Sequence, residues 1–340
     1  MIPVIICGGV GAKMWPLSTT SLPKHFLPLV DGESLFQVNW RVLRKRYSPS
    51  EIYIQTNESQ SKIAKEQVPE ILTENIFLEP ETKNQGPASG LAAAYLKKLG
   101  KGDETFILVQ TDDLRVPEDA IFDFIDLAEK YSKETGKYIT SGFEPKWLQA
   151  GVDYLLKGKL LSEEKGVKIF ELADFIDRSE TERIESLMGT GDLLLHTNHT
   201  TMTPNGMLAM FKKYRPDWYQ PLINIVEGGN IGEEYSKMAK GQLEEVTKLS
   251  HKNGESLVIE NPFEWIDFGT WASVEKHYIK NNIVPKHSGL VQIEGSNNFC
   301  YSDSGKKVAV IGYDDAIVIE GKDGILVCRR DLSGRVGEVH

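Results

Sequence analysis

Cysteine is scarce in this chain of 340 residues, where it occurs three times, as Cys7, Cys300 and Cys328. The odd number and the wide spacing match neither a disulfide framework nor a zinc-binding pattern. We therefore expect three reduced thiols, and no fold held together by disulfides or by zinc.

Long apolar runs are also missing. No hydrophobic stretch approaches the roughly 18 to 20 residues that a membrane span needs, and the opening MIPVIICGG lacks the basic region and the cleavage site of a signal peptide. These absences predict a cytoplasmic protein that does not bind a membrane.

Basic residues are fewer than acidic ones. The chain has 39 Lys and Arg and 49 Asp and Glu, which gives a formal net charge of −10. Binding nucleic acid as a main function needs a broad basic surface, so we expect no nucleic-acid partner. The charge is nevertheless uneven, because no acidic residue precedes Asp31 while Lys13, Lys24 and His25 do. An acidic protein thus begins with a locally cationic segment that could receive an anionic ligand.

Short apolar runs alternate with helical patterns in the first part of the chain. Segments 2–7, 51–56, 75–79, 105–110 and 137–143 read as strands. Segments 35–46, 58–71, 86–99 and 117–131 carry apolar residues at helical spacing, with Pro117 in a first helical turn. This alternation predicts an α/β fold with a Rossmann-like, mainly parallel sheet and helices on both faces. Ligands of such sheets bind beyond the carboxyl ends of the strands, here after Cys7, Glu79 and Gln110.

Two changes of pattern suggest the domain organisation. Regularity loosens from about residue 144 to 284, where we expect strands 167–171 and 256–259 and helices 179–188, 205–214, 232–250 and 271–281. We assign this stretch to the same domain, 1–284. Beyond it, short apolar runs separated by Gly, Asp, Ser and Asn predict a small β-rich C-terminal domain, 285–340.

A glycine-rich turn follows the first predicted strand. Gly8, Gly9 and Gly11 let backbone amides approach an anion closely, and Lys13 adds charge. The turn is not a Walker A loop, and Met14 stands where the dinucleotide fingerprint has its last glycine. The alternative is a strand-to-loop turn that binds no ligand.

This turn continues into Trp15-Pro16-Leu17-Ser18 and then Pro23-Lys24-His25-Phe26. The whole resembles the opening signature of the sugar-1-phosphate nucleotidyltransferases, and the Trp and the Pro-Lys-x-Phe ending are similar to the mannose-1-phosphate guanylyltransferase branch. The resemblance implies a GT-A-like fold and transfer of GMP from GTP to a sugar 1-phosphate, with mannose 1-phosphate the leading acceptor. GDP-mannose and pyrophosphate would be the products. Lys13 stands where the family uses arginine, and a lysine cannot make the same bidentate contact with phosphate.

The resemblance also implies roles for single residues. Lys13 and Lys24 would be the catalytic cations, while Asp112 and Asp267 would hold Mg²⁺. Asp267 lies in a segment similar to the family's Trp-x-Asp-x-Gly-x-Trp. Read without the resemblance, Asp112 could cap the helix near 117 and Asp267 could order the next turn. Asp113 replaces the family's usual histidine, and this extra carboxylate could bind the metal differently or face solvent.

The resemblance extends to the nucleotide and sugar-phosphate contacts. Residues 84–88 are similar to the family's Asn-Thr-Ala-Pro-Ala, although an ordinary helix start is the alternative. The implied nucleotide contacts are Gly8, Gly9, Gly11, Lys13, Asn84, Gly86, Ala88 and Asp112. The implied sugar-phosphate contacts are Gly151, Asp177, Arg178 and Asn198.

The match weakens in this acceptor region, where residues 195–200 keep little of the family's Trp-Asn-Ser-Gly. His196 and His199 are interpreted as a polar pocket wall rather than as metal ligands. Two alternatives therefore stay open. The chain could use another sugar phosphate or base, or it could be a silent paralogue that binds a nucleotide sugar without turnover. The β-rich tail offers strand edges for a possible homodimer.

Overall fold

The computed structural model describes residues 1–9, 11–149, 151–283 and 289–339. The strands are β1 Ile2–Ile6, β2 Tyr53–Thr56, β3 Ile76–Leu78, β4 Phe106–Gln110, β5 Asp113–Val116, β6 Tyr138–Phe143, β7 Tyr154–Glu164, β8 Val167–Ile176, β9 Leu193–His196, β10 Thr201–Met202, β11 Ser256–Glu260, β12 Glu264–Asp267, β13 Gly289–Ile293, β14 Phe299–Ser302, β15 Lys307–Ile311, β16 Ala316–Gly321 and β17 Gly324–Arg329. The α-helices are α1 Leu35–Arg44, α2 Glu58–Gln67, α3 Gln85–Lys98, α4 Ala120–Thr135, α5 Thr181–Leu187, α6 Pro204–Tyr214, α7 Pro216–Val226, α8 Ile231–Ser236, α9 Glu244–Lys252 and α10 Trp271–Lys280. A 3₁₀ segment, Arg330–Val339, ends the described chain and is called the C-terminal segment below.

A ten-stranded sheet organises the molecule in the order β11-β8-β7-β9-β6-β10-β4-β1-β2-β3. Strand β1 pairs in parallel with both β2 and β4, so the strand order reverses at β1. Side chains alternate between the two faces: Ile5 and Ile107 join the core with α1 and α4, while Val4 and Leu108 join the core with α3, α6 and α7. The predicted α/β fold, with helices on both faces, is confirmed. The reversal at β1 opens a crevice beyond the carboxyl ends of β1 and β4.

Several predicted helices differ from the structure in their bounds; the helix expected over 58–71, for example, ends at Gln67. The helix expected from Pro117 begins instead at Ala120. The helix expected over 232–250 is split into α8 and α9. Between these two helices the backbone of Gly241 pairs with the start of α3, donating to the carbonyl of Lys83 just before the helix and accepting from the amide of Gly86 in its first turn. In a continuous helix, the N–H and C=O groups of Gly241 would instead bond with residues of the same helix.

A short antiparallel ribbon brings two distant parts of the sequence together. Strand β5 follows directly on the end of β4, and β12 pairs with it in a register that puts Asp267 opposite Asp113. The ribbon therefore delivers the predicted metal ligand Asp267 to the carboxyl edge of β4.

The C-terminal part is rich in β structure, as predicted. Strand β13 pairs in parallel with β15 and β14 with β16, while β17 returns antiparallel to β16. The predicted domain boundary between residues 284 and 285 lies outside the described residues. In the ranges that the structure covers, no helix is both long enough and apolar enough to span a bilayer.

Candidate active site

The glycine-rich turn after β1 folds against Lys24. Gly9 and Gly11 have φ angles of +73° and +77°, a left-handed conformation that favours glycine. A β-carbon on Gly11 would lie 2.5 Å from Cγ of Lys24. Glycine at position 11 therefore provides both the backbone conformation and the space through which the Lys24 side chain passes. Val10 lies outside the described residues.

Lys24 brings the two predicted metal ligands together. Its Nζ lies 2.7 Å from Oδ2 of Asp112 and 3.9 Å from Oδ1 of Asp267. Burial disfavours the ammonium, but the two carboxylates outweigh it and raise the pKa of Lys24. For Asp112 burial opposes ionisation as well, yet Lys24 holds its pKa below the usual value. Burial raises the pKa of Asp267, with Lys24 acting in the opposite direction.

These side chains open into a cavity of about 560 Å³. Its walls are Gly11, Ala12, Lys13, Lys24, Asp112, Asp267, Gly269, Gly334, Gly337 and Glu338. The turn, both lysines and both aspartates that the sequence singled out thus face one space. The crevice is large enough for a ligand of several phosphate groups, and the side chains of Lys13 and Lys24 line it.

The donor set of this cavity fits Mg²⁺. Magnesium bound at nucleotide sites takes one or two carboxylates and completes its shell with water and substrate phosphates. Asp112 and Asp267 supply such a pair, both within reach of a single cationic nitrogen. Across the described ranges, no group of three or more His, Cys, Asp or Glu side chains is placed to hold a metal ion. A coordination shell made of protein ligands alone is therefore not found among these residues.

Asp113 is turned away from this cavity. It is buried and paired with the equally buried Arg115, at 3.3 Å between Oδ2 and NH2. Arg115 also donates to Asn39 Oδ1 and to His199 Nε2. Burial raises the pKa of Asp113 to about 8, against the pull of Arg115. The suggestion that Asp113 faces solvent is therefore wrong, and its carboxylate belongs to a buried network.

The C-terminal segment forms part of the cavity beside Lys24, which sequence reasoning did not anticipate. Gly334, Gly337 and Glu338 of the C-terminal segment line it, and a β-carbon on Gly337 would lie 3.5 Å from Cγ of Lys13. Gly324, at the start of β17, packs against the Trp15 ring. Trp15 therefore packs against the β-rich domain, and that domain supports the glycine-rich turn. No local sequence signal reveals this contact, since it joins the two ends of the chain.

Residues predicted to contact the nucleotide at the start of α3 differ in their accessibility. Asn84 is exposed, has a φ of +66° and does not cap the helix with its side chain. Gly86 is buried against Trp218 and its amide already donates to the Gly241 carbonyl at 3.0 Å. The Ala88 carbonyl accepts from Gln55. Asn84 is thus the member of this group with a side chain available to a ligand.

Three residues predicted to bind the sugar phosphate, Gly151, Asp177 and Arg178, have partners within the protein. Arg178 forms a two-bond fork with Asp153 and also donates to the Gly151 carbonyl. Asp177 accepts from the amide and hydroxyl of Ser179, which orders the turn before α5. Asp153, the acid that holds Arg178, was missed because it is separated from Arg178 by the β7–β8 hairpin, which sequence patterns did not reveal.

A second cavity of about 580 Å³ adjoins the first and shares Asp267 and Gly269 with it. Trp147 and Trp265 line it together with Lys146, Lys276 and Lys280. Its amphipathic rings and ammonium groups suit a ligand that combines a polar ring with negative charge. The sequence pattern did not reveal this wall, which is built from a loop after β6 and one face of α10.

Comparison with known proteins gives separate matches for the N-terminal part of the chain and for its β-rich C-terminal part. Residues 2–147 match the sequence profile of the family described as Nucleotidyl transferase. The first part of the chain is thus a nucleotidyl transferase domain. Residues 288–339 match a second profile, described as a MannoseP isomerase/GMP-like beta-helix domain.

Two curated relatives of this nucleotidyltransferase match it over nearly its whole length. It is 27% identical over 355 residues to the mannose-1-phosphate guanylyltransferase of Escherichia coli strain K12, covering 100% of this chain and 72% of that protein. It is 28% identical to the enzyme of the same name from Klebsiella pneumoniae, covering 98% and 72%.

The fold of this nucleotidyltransferase is shared with a crystal structure from Thermus thermophilus, described as mannose-1-phosphate geranyltransferase. The TM-score is 0.85 at 21% identity, with 99% of this chain and 97% of that chain covered. At that identity the likeness establishes the fold, including its β-rich C-terminal domain.

Proposed function

We propose that this protein transfers GMP from GTP to mannose 1-phosphate, releasing pyrophosphate. The observation that carries the proposal is the position of Lys24, whose ammonium lies between Asp112 and Asp267 at the mouth of the glycine-rich turn. Relatives that span the chain bear the name of this activity.

The chemistry requires little of the protein beyond placement and charge. A phosphate oxygen of the sugar 1-phosphate attacks the α-phosphorus, a new P–O bond forms, and the bond from the α-phosphorus to the bridging oxygen breaks as pyrophosphate leaves. The amides of Gly8, Gly9 and Gly11 donate to phosphate oxygens, and Lys13 and Lys24 neutralise the charge that builds up on them. No side-chain proton transfer is needed, since the attacking phosphate oxygen is already ionised.

Asp112 and Asp267 would hold Mg²⁺, which supplies further charge neutralisation to the phosphates when it is bound. Because both carboxylates lie within salt-bridge distance of Lys24 Nζ, at 2.7 and 3.9 Å, the ammonium offsets their mutual repulsion. In the presence of Mg²⁺ and triphosphate, Lys24 can release a carboxylate and bind a phosphate oxygen instead. The side chains of the site therefore have to move little when the substrates bind.

Incubation with Mg²⁺, GTP and mannose 1-phosphate tests the proposal through the release of pyrophosphate. Wild-type protein should turn over, and Lys24→Met should lose roughly 100- to 1,000-fold in kcat, as is typical when a charge-stabilising donor is removed. Lys62→Met, on the exposed face of α2, is the matched control and should be unchanged.

Two alternatives have specific support. Lys13 in place of arginine and the altered acceptor region are compatible with another base or sugar phosphate, which a panel of four nucleoside triphosphates and several hexose 1-phosphates would detect. The same departures fit a silent paralogue that binds a nucleotide sugar. That alternative predicts binding by calorimetry with no pyrophosphate from any pair.

A further inference from the structure

Three polar side chains form a hydrogen-bonded cluster at the start of two helices. None of the three is among the residues assigned to the triphosphate or to the metal. They are Gln85, the first residue of α3, Glu244, the first residue of α9, and Asn198, in the loop between β9 and β10. The Asn198 amide nitrogen lies 3.1 Å from Gln85 Oε1 and 3.1 Å from Glu244 Oε1. We call these three residues the amide–carboxylate cluster.

The orientation of both amides follows from the carboxylate. An ionised carboxylate only accepts hydrogen bonds, so the Asn198 atom facing Glu244 must be its nitrogen. That nitrogen also faces Gln85, which must therefore present its oxygen. Asn198 holds this arrangement with a φ of +56°, a conformation that asparagine tolerates better than most residues.

Each member of the cluster keeps one further polar atom that is buried and has no partner. Within the described part of the chain these atoms are Gln85 Nε2, Asn198 Oδ1 and Glu244 Oε2. A buried polar atom without a hydrogen-bond partner destabilises the folded protein, because it has lost its contacts with water. Three such atoms on side chains already joined by hydrogen bonds indicate a preformed site for a ligand that supplies the missing partners.

We infer that the amide–carboxylate cluster recognises hydroxyl groups of the sugar phosphate, and that Glu244 is a specificity-determining residue. This inference rests on the proposed function. Two acceptors and one amide donor match a pair of sugar hydroxyls, which donate to Glu244 and Asn198 while one hydroxyl oxygen accepts from Gln85.

The backbone places the cluster beside the predicted sugar-phosphate residues. The amide of His196, two residues before Asn198, donates to the carbonyl of Asp153 at 3.0 Å, and Asp153 forms the ion pair with Arg178. Asn198 lies in the loop that leads into β10, which pairs with β4, the strand that ends two residues before Asp112. The chain around Asn198 thus connects the Asp153–Arg178 pair with the strand that leads to Asp112.

A test compares wild type with Glu244→Gln, which keeps the shape of the side chain and removes its charge. The KM for the sugar phosphate should rise about 10- to 100-fold, as expected for loss of a hydrogen bond to a charged group, while the KM for GTP stays within twofold. Glu245→Gln alters the next carboxylate of α9, which is bound to Arg215, and should change neither KM.

Deoxy sugars test the same contact in the wild-type protein, where the folding of a variant plays no part. With wild type, a hexose 1-phosphate lacking the recognised hydroxyl should be about 10- to 100-fold poorer in kcat/KM than the parent sugar. With Glu244→Gln that difference should shrink to a few fold. A variant that raises the KM for GTP instead, or one that leaves every KM and the deoxy penalty unchanged, overturns the inference.

The proposed function can fail separately. If wild type releases no pyrophosphate with any pair, the same comparison is made by calorimetry with mannose 1-phosphate alone. Binding that Glu244→Gln weakens at least tenfold still supports the cluster as a sugar site. Binding that is undetectable, or equal in both proteins, contradicts it.

Discussion

Gly11 and Lys24 occupy complementary space, because a β-carbon on Gly11 would lie 2.5 Å from Cγ of Lys24. The absence of a side chain at position 11 lets the stem of Lys24 cross the turn. Its ammonium then reaches Asp112 and comes within 3.9 Å of Asp267. The glycine turn and the two carboxylates are therefore one structural unit, connected through a single lysine.

Gly11→Ala should lower kcat/KM for transfer at least 100-fold, because the added methyl displaces Lys24 from both aspartates. The matched control is Gly32→Ala. Gly32 also has a positive φ, +85°, but an added β-carbon there meets no heavy atom of the described chain within 4 Å. Both variants should lose roughly 1 to 2 kcal/mol of unfolding free energy from backbone strain. Equal activity in the two proteins would show that the Lys24 contact is irrelevant.

The sequence predicted the elements that rest on local pattern. Strands such as 2–7 and 105–110, and the sheet they imply, follow from buried β-branched runs between helical repeats. The turn, Lys24, Asp112 and Asp267 were found because each lies in a short motif. What was missed depends on tertiary pairing: the β7–β8 hairpin, which carries Asp153, and the Gly337 contact with Lys13 join residues whose own neighbourhoods carry no distinctive pattern.

The buried pair Asp113–Arg115 predicts a strong and asymmetric effect on stability. Arg115→Met should lower the unfolding free energy by about 1 to 3 kcal/mol for each buried partner that it leaves unpaired, which are Asp113, Asn39 and His199. The double variant Asp113→Leu, Arg115→Met should be less destabilised than the single one. Urea denaturation at pH 7 measures both. If the loss in the double variant equals the sum of the losses in Arg115→Met and in Asp113→Leu alone, the two side chains do not interact.

The C-terminal segment should act on the triphosphate through Lys13. Gly337→Val places two methyl groups against the Lys13 stem and should raise the KM for GTP several-fold, with little effect on the KM for the sugar phosphate. Gly232→Val is the comparison, since Gly232 lies in α8, outside the cavity, and an added β-carbon there meets no described heavy atom closer than 3.4 Å. Steady-state kinetics with each substrate varied in turn gives the answer. A matching rise for both variants would remove the role assigned to Gly337.

Buried histidines predict a loss of stability in acid. Burial lowers the pKa of His196 to about 4 and that of His251 well below its usual value. Between the unfolded pKa near 6.5 and the folded value, the unfolded chain binds more protons, so the free energy of unfolding falls as the pH falls through this window. At pH 7.5 both states are neutral and the effect vanishes.

His251→Phe should reduce this acid sensitivity. Neither ring nitrogen of His251 has a hydrogen-bond partner among the described residues, so phenylalanine removes the titration and keeps a ring beside Tyr138 and Phe175. Between pH 7.5 and 5.0 the variant should lose about 2 kcal/mol less than wild type. Urea unfolding at the two pH values measures this, and an unchanged difference would mean that His251 is not the titrating group.

The most direct test of the central claim is whether Asp112 and Asp267 share one metal ion beside a bound triphosphate. Titration of protein with Mn²⁺ and GTP, followed by water proton relaxation, reports the ternary complex. We predict one strongly relaxing Mn²⁺ per wild-type chain, with its affinity reduced at least tenfold in Asp112→Asn and in Asp267→Asn but not in the surface variant Glu66→Gln. Wild-type binding in both aspartate variants would contradict the account.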